Sequence, residues 1–373
     1  MVAANVRAEP SVAGTPHSSA LYQSIHRQPE VLRDVLRRES GAARQGAEIL
    51  AGAKRVFLAG TGTSSHAATV TEYLYRSFGL NAEARTVFDL ANYGPRLRSE
   101  DAVVVISHRG AKRYGNRVLE LAKEAGARMI GVTGLDSPMS IPEVIFHTAP
   151  QEKSSTHTMS YTGNLMALAM MGVAYAERGA SSPHPLRAVL ESMPTTFEGV
   201  LRREHVVLPT AQALAQSGRL VLAGAGPNVQ TAREGALKVK ESSYLTAEGF
   251  EIENLLHGGL QAQRAGDVAV VLVPPGPAAD RVTDLVRALE MLGATILLVR
   301  DESHPFEVPV IEPPGPGVST FLLPSVPELL SPMVTVLPVQ FLACATAEIR
   351  GTNPDSFRAD DPTFKRINDS YKL

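Results

Sequence analysis

The chain repeats itself, and the repeat limits its architecture more than any other feature. Arg55-Val56-Phe57-Leu58-Ala59-Gly60-Thr61-Gly62 recurs as Arg219-Leu220-Val221-Leu222-Ala223-Gly224-Ala225-Gly226, an offset of 164 residues. Asp101-Ala102-Val103-Val104-Val105-Ile106 recurs as Asp267-Val268-Ala269-Val270-Val271-Leu272, offset by 166. Gly126-Ala127-Arg128-Met129-Ile130-Gly131-Val132 recurs from Gly293 to Val299, offset by 167. Three ordered matches at nearly constant offset predict two copies of one unit. The short continuous apolar runs read as strands buried on both faces. Helical patterns lie near 21–51, 64–78, 112–125 and 156–178, then near 229–246, 278–292 and 331–349. This alternation predicts an α/β fold, two doubly wound and mostly parallel sheets flanked by helices, with ligands beyond the carboxyl ends of the strands. The expected division is an N-terminal arm and helix over 1–50, a first copy over 51–182, a second over 205–350 and a tail over 351–373. Residues 1–19 read as a loose arm, and 179–185 and 313–317 as linkers.

One helix pattern carries an unusual set of charges. In Glu234-Gly235-Ala236-Leu237-Lys238-Val239-Lys240-Glu241, the side chains of Glu234, Lys238 and Glu241 fall within about 60° of one another at helical spacing. Downstream, His257 stands before Gly258-Gly259. The stripe suits a solvated helix face with an i,i+4 pair. It equally suits proton transfer at a carbonyl carbon, where a carboxylate removes a proton, an ammonium holds an enolate and an imidazole opens a sugar ring.

Composition removes several classes. Net charge is −2, and no basic stripe argues for nucleic acid. Cys344 is the only cysteine and lies in an apolar run, which excludes an internal disulfide and a CxxC metal site. The ten histidines show no zinc-binding spacing, so no metal is expected. Neither a signal peptide nor an apolar span of 18 residues is evident, and a cytoplasmic location is expected.

Two turns in the first copy are candidates for an anion. Gly60-Thr61-Gly62-Thr63-Ser64-Ser65-His66 leaves a strand and enters a helix, whose N-terminal N–H groups favour phosphate. A dinucleotide fingerprint is broken, because Ser65 stands where the third glycine belongs. The next βα turn, Ser107-His108-Arg109-Gly110-Ala111-Lys112-Arg113, supplies a hydroxyl and two cations. Cations at a helix start oppose its dipole, and a bound anion removes the conflict. In the second copy, Pro227 and Asn228 follow Gly226, so one N–H donor and the hydroxyls are missing.

The duplication, Gly62-Thr63-Ser64 with His66-Ala67, and the Glu234–Glu241 run with His257-Gly258 together resemble the sugar isomerase (SIS) domain family. The likeness is strongest to the isomerase half of glucosamine-6-phosphate synthase and runs from about Ser24 to Arg358. It implies two tandem SIS domains. It further implies sugar-phosphate contacts at Gly62, Thr63 and Ser64, in the turn of Ser107, His108, Arg109, Gly110 and Lys112, and near Ser155. Glu241 would shuttle a proton between the first two sugar carbons, and Lys238 would stabilise the adjacent oxygen. His257 would assist ring opening from the partner subunit, which implies a homodimer, and no cofactor is implied. Arg358 fits an arginine of the family's tail. The sequence departs from the family in two places. Arg109 and Lys112 replace hydroxyl residues of the phosphate turn, and the nearest tail lysine is Lys365. The glutaminase half of the synthase, with its N-terminal cysteine, finds no match here.

The resemblance therefore implies an enzyme acting on a hexose 6-phosphate or amino-hexose 6-phosphate. Its reaction would be aldose–ketose isomerisation coupled to amination, deamination or deglycation at C2, without glutamine hydrolysis. The alternative is a non-catalytic sugar-phosphate-binding regulator on the same fold. A dinucleotide oxidoreductase is opposed by the broken fingerprint.

Overall fold

The apolar runs of the repeat become the central strands of two five-stranded parallel sheets. The computed structural model describes residues 18–110, 112–273, 276–303 and 317–371. Residues 1–17 of the arm expected over 1–19, most of the 313–317 turn and Ala111 lie outside the described residues.

Helices α1 (Ala20–Arg38) and α2 (Ser40–Gly52) precede the first sheet. Its copy continues as β1 (Arg55–Gly60), α3 (Thr63–Ser77), β2 (Ala82–Thr86), α4 (Val87–Asn92) and β3 (Asp101–Ile106). It closes with α5 (Arg113–Ala125), β4 (Arg128–Thr133), β5 (Val144–His147) and α6 (Met159–Ala176). Helices α7 (Pro185–Leu201) and α8 (Leu208–Ser217) connect the copies. The second copy comprises β6 (Arg219–Gly224), α9 (Asn228–Ser243), β7 (Thr246–Glu251), α10 (Ile252–His257) and β8 (Val268–Val273). It ends with α11 (Ala279–Leu292), β9 (Thr295–Asp301), β10 (Val318–Leu323) and α12 (Ser331–Arg350), and the tail holds α13 (Pro362–Asp369).

The strand orders are β2-β1-β3-β4-β5 and β7-β6-β8-β9-β10, the same order in both copies. Each therefore has a switch point, between β1 and β3 or between β6 and β8, where chain connections leave in opposite directions and ligands bind. One face of each sheet contributes to a single core with α1, α6, α9 and α12, including Leu58, Val104, Met166, Leu222, Val270 and Leu337. The outer faces have their own clusters, under α5 in the first copy and α11 in the second.

Three sequence expectations are corrected. The helix expected over 21–51 is broken at Glu39, which is buried and paired with Arg38. The helix expected to reach 246 ends at Ser243, because Tyr244 takes a left-handed conformation (φ 59°) and the chain then enters β7. Finally, the stretch Pro332–Arg350 is apolar and long enough to cross a membrane, with mean hydropathy 1.4. It is 83% buried inside the fold, so a packed core accounts for its apolarity.

Helix α9 sits unusually close to its neighbours. A Cβ on Gly235 would stand 2.2 Å from Val339 of α12 and 2.8 Å from Leu222 of β6. Glycine there lets the helix press onto the shared core while its other side faces α3.

Candidate active site

Helices α3 and α9 each follow the first strand of their copy, and they pack against each other. Gly62 begins the junction. Its positive φ of 56° turns the chain from β1 into α3. This places Thr63 and His66 in the first turn of α3, opposite Glu234, Lys238 and Glu241 of α9.

The charges expected to share a helix edge do meet, and they are buried. Lys238 is 1% exposed and Glu234 is fully buried, whereas Glu241 is 18% exposed. The Lys238 ammonium lies 2.6 Å from Glu241, 3.3 Å from Glu234 and 3.2 Å from the Thr63 hydroxyl. Glu234 also accepts from Thr63 Oγ1 at 3.0 Å and pairs with His66 Nδ1 at 2.6 Å.

These surroundings divide the two glutamates. Burial works against ionising Glu234, but the Lys238 charge and the bonds from His66 and Thr63 prevail and hold it at about 2. Burial also acts on Glu241, and there it wins over Lys238, so this carboxyl is raised above the usual range. Lys238 suffers the same burial, yet Glu234, Glu241 and Glu152 keep its ammonium protonated.

The first-copy turns lie across from this edge. Ser64 is half-buried at the start of α3, while the Thr63 hydroxyl, expected on phosphate, is engaged between Glu234 and Lys238. Ser107 to Gly110 form a tight turn in which the Gly110 N–H donates to the Ser107 carbonyl at 2.9 Å. Gly110 has φ 71°, and a Cβ there would overlap Ser137. Arg109 is exposed and Lys112 is half-buried. Burial and the Arg109 charge both push the Lys112 ammonium down. His108 is buried, its two ring nitrogens have no hydrogen-bond partner, and it stacks edge-on against His157 at 5.3 Å. Burial holds His157 at about 4, against Glu152 and with the help of Lys238, His108 and Arg109. His157 thus feels both the basic turn and the α9 ammonium.

Ser155 is half-buried, and its N–H donates to the Asp355 carbonyl at 3.0 Å, which ties this loop to the C-terminal tail. The neighbouring Glu152 accepts from the N–H groups of Thr158, Met159 and Ser160 and so caps α6.

Two expected site residues stand apart in the single chain. His257 is exposed at the end of α10, and among the described residues no hydrogen bond or ion pair joins it to Lys238 or Glu241. Arg358 is packed between the rings of Tyr244 (4.9 Å) and Phe364 (3.9 Å), so its charge serves first to dock the tail. The sequence does not mark Glu152 or His157 as site residues, and it marks His66 only through the His66-Ala67 pair of the family resemblance and its place one helical turn beyond the glycine loop.

Among the described residues no group of three His, Cys, Asp or Glu side chains is arranged to hold a metal. The side chains gathered along this edge are carboxylate, ammonium and imidazole groups.

The SIS domain model matches residues 49–174 and 213–305, more than half of the chain. The chain belongs to the SIS domain family. The first matched region holds all five strands of the first sheet, and the second holds β6 to β9 of the second. A glutamine–fructose-6-phosphate aminotransferase (isomerizing) of Gloeobacter violaceus is 29% identical over 353 residues, covering 91% of the chain and 57% of that protein. The chain thus spans a little over half the length of this relative. Among solved structures, the C-terminal domain of the glucosamine-fructose-6-phosphate aminotransferase of Francisella tularensis superposes with a TM-score of 0.82 at 20% identity. That match covers 91% of this chain and 98% of the other. A glucosamine-6-phosphate deaminase of Thermotoga maritima superposes with a TM-score of 0.68 at 19% identity, covering 91% and 97%.

Proposed function

We propose that the chain transfers a proton between C1 and C2 of a hexose 6-phosphate or amino-hexose 6-phosphate. This is an aldose–ketose isomerisation, coupled to gain or loss of an amine at C2. The observation that carries the reading is the unequal pair of glutamates on one buried ammonium. Glu234, saturated with three donors and held at about 2, is a poor base. Glu241, raised by burial and bonded on one side, is the better match for a base near neutral pH.

In this mechanism Glu241 takes the proton from the carbon beside the carbonyl. The electron pair moves to the carbonyl oxygen, giving an enediolate. As Glu241 is neutralised its hold on Lys238 weakens, and the ammonium turns to the new oxyanion. Glu241 then returns the proton to the former carbonyl carbon, while the hydroxyl proton of the deprotonated carbon passes to the former carbonyl oxygen and leaves the new carbonyl behind. The general base supplies about 10²–10⁴-fold. The rest comes from positioning, with Ser64 and the Ser107–Lys112 turn gripping the phosphate. Arg109 and Lys112 match its two negative charges. His257 of the partner subunit would open the sugar ring, and Arg358 would close the site from the tail. The only thiol, Cys344, is buried in α12 and pushed up to about 12, which makes it a poor nucleophile.

The names of the relatives support this reading, because isomerising amination and deamination of such sugars both pass a proton between C1 and C2. The test is deuterium exchange at C2 of glucose and glucosamine 6-phosphates and at C1 of fructose 6-phosphate, followed by NMR in D₂O. Exchange that is lost in Glu241→Gln supports the proposal. Tight binding of these sugars without exchange overturns it and favours the regulator.

A further inference from the structure

The reading above leaves His66 without a role. It lies in the first copy, yet its 2.6 Å contact is with Glu234 of the second. Its side chain is 16% exposed. It also lines an open polar cleft of about 580 Å³ with Thr69, Arg85, Asp89 and Arg233. The carboxylate it holds bears on the catalytic ammonium, because Glu234 stands 3.3 Å from Lys238. Thr63 bridges the same pair, but a hydroxyl can rotate away, whereas the imidazole is a rigid donor on a helix.

We infer that His66 is a positioning residue: it clamps Glu234 so that Lys238 is presented to Glu241 rather than drawn wholly onto Glu234. The inference rests on the proposed roles of Lys238 and Glu241. Besides Arg85, Asp89 and Arg233 in the cleft, the charges around the device come from three segments. Glu234, Lys238 and Glu241 are on α9, His66 is on α3, and Glu152 before α6 acts on Lys238 through space. His66 also acts on Glu241, favouring its ionised form. Without His66, Glu234 relies on Lys238 alone for charge compensation. The ammonium then shifts toward Glu234, and Glu241 loses both its partner and its alignment. The clamp also couples the copies, since the helix that begins at the anion turn holds the helix that carries the base.

The test compares three substitutions. His66→Leu removes the donor, His66→Asn keeps an N–H near the Nδ1 position, and His66→Gln keeps an amide but places it beyond that position. The cleft leaves room for all three. His66→Leu should lower kcat for C2 exchange by about ten- to a hundredfold, the effect of losing a hydrogen bond to a charged group, with KM within about twofold. His66→Asn should recover most of that loss. A second readout needs no turnover: in ¹³C NMR the Glu241 carboxyl should titrate at higher pH in His66→Leu than in wild type. If His66→Leu does not fold, His66→Gln decides, and it must show the same kcat loss. Unchanged kcat and an unchanged Glu241 titration overturn the inference, as does a His66→Asn no better than His66→Leu. If the wild-type chain exchanges no sugar, the proposed reaction fails, and the Glu241 titration still decides the role of His66.

Discussion

The first βα turns of the two copies leave equivalent strands, enter equivalent helices and have opposite fates. In the first copy Gly62 carries the chain into Thr63 and Ser64, and the turn opens toward α9. In the second copy Asn228 is fully buried. Its amide nitrogen donates to Ser331 at 2.7 Å, and its oxygen accepts from Thr335 at 2.6 Å and Thr231 at 3.2 Å. The polar groups that would greet an anion are spent on α12. In the proposed reading one copy keeps its switch point for a ligand, while the other spends it on contacts with α12. The helices divide the work the other way, because α9 carries the acid–base groups and α3 supplies Thr63 and His66 to steady them.

The comparison breaks most visibly at Glu241. Glu241→Gln should lower C2 exchange by about 10²–10⁴-fold. Sugar-phosphate affinity should stay within a few-fold by calorimetry, because the proposed anion grip belongs to the other copy. A parallel loss of binding would refute the division of labour. The pH profile sharpens the point. A base must be ionised, so activity should fall as pH drops through the raised Glu241 value. The acid limb should therefore lie above that of an ordinary carboxylate.

Lys238→Gln comes next. It leaves Glu234 and Glu241 buried together without their cation, at a cost of about 3–5 kcal/mol in denaturant unfolding. The linked prediction concerns acid. Glu234 is held below its unfolded value, so its stabilisation is present above the unfolded value of about 4.5 and is lost as pH falls toward about 2. Wild type should lose stability across that window, and Glu234→Gln should show a flatter dependence. A mutant that melts in parallel with wild type from pH 5 to 2 would mean that Glu234 is not the ionised anchor.

Much of this was legible in the sequence, and the exceptions have physical causes. Strands β1, β3 and β4 and their counterparts are buried on both faces, so they print continuous apolar runs. Strands β2 and β7 are sheet edges and read Ala-Glu-Ala-Arg-Thr and Thr-Ala-Glu-Gly-Phe-Glu, which no apolar run announces. Glu234, Lys238 and Glu241 share an edge by helical spacing alone. Their burial does not follow from spacing, because it depends on Gly235 admitting α9 to the core and on α3 covering the charges. His66 lies 168 residues from Glu234, and only the docking of the two copies brings them together. Arg358 reads as a ligand contact by its place in the tail, yet Tyr244 and Phe364 enclose it.

At the second-copy turn, Asn228→Ala should leave anion binding unchanged and cost about 1–3 kcal/mol, for the loss of its buried bonds to Ser331, Thr335 and Thr231. Loss of sugar-phosphate binding in a folded Asn228→Ala would show that the second turn is not merely structural. Arg109→Ser with Lys112→Thr should do the reverse, weakening the anion with little change in stability.

The smallest expected effect comes from a device the copies share. Asp101 accepts the Arg98 N–H at 2.8 Å and pairs with Arg55, and Asp267 accepts the Arg264 N–H at 2.9 Å and pairs with Arg219. The duplication has kept the same latch at the start of the same two strands. The latches differ in closeness. Arg55 grips Asp101 with two bonds, at 2.6 and 2.8 Å, whereas Arg219 stands 3.5 Å from Asp267. A two-pronged, charge-assisted grip on a fully buried carboxylate loses more than a single long contact when the charge is removed. Asp101→Asn should therefore destabilise the protein by about 1 kcal/mol more than Asp267→Asn, read as a difference in urea midpoint at constant slope. Equal costs would mean that the latch works through its turn bond to the preceding N–H, which both copies keep, and not through the arginine.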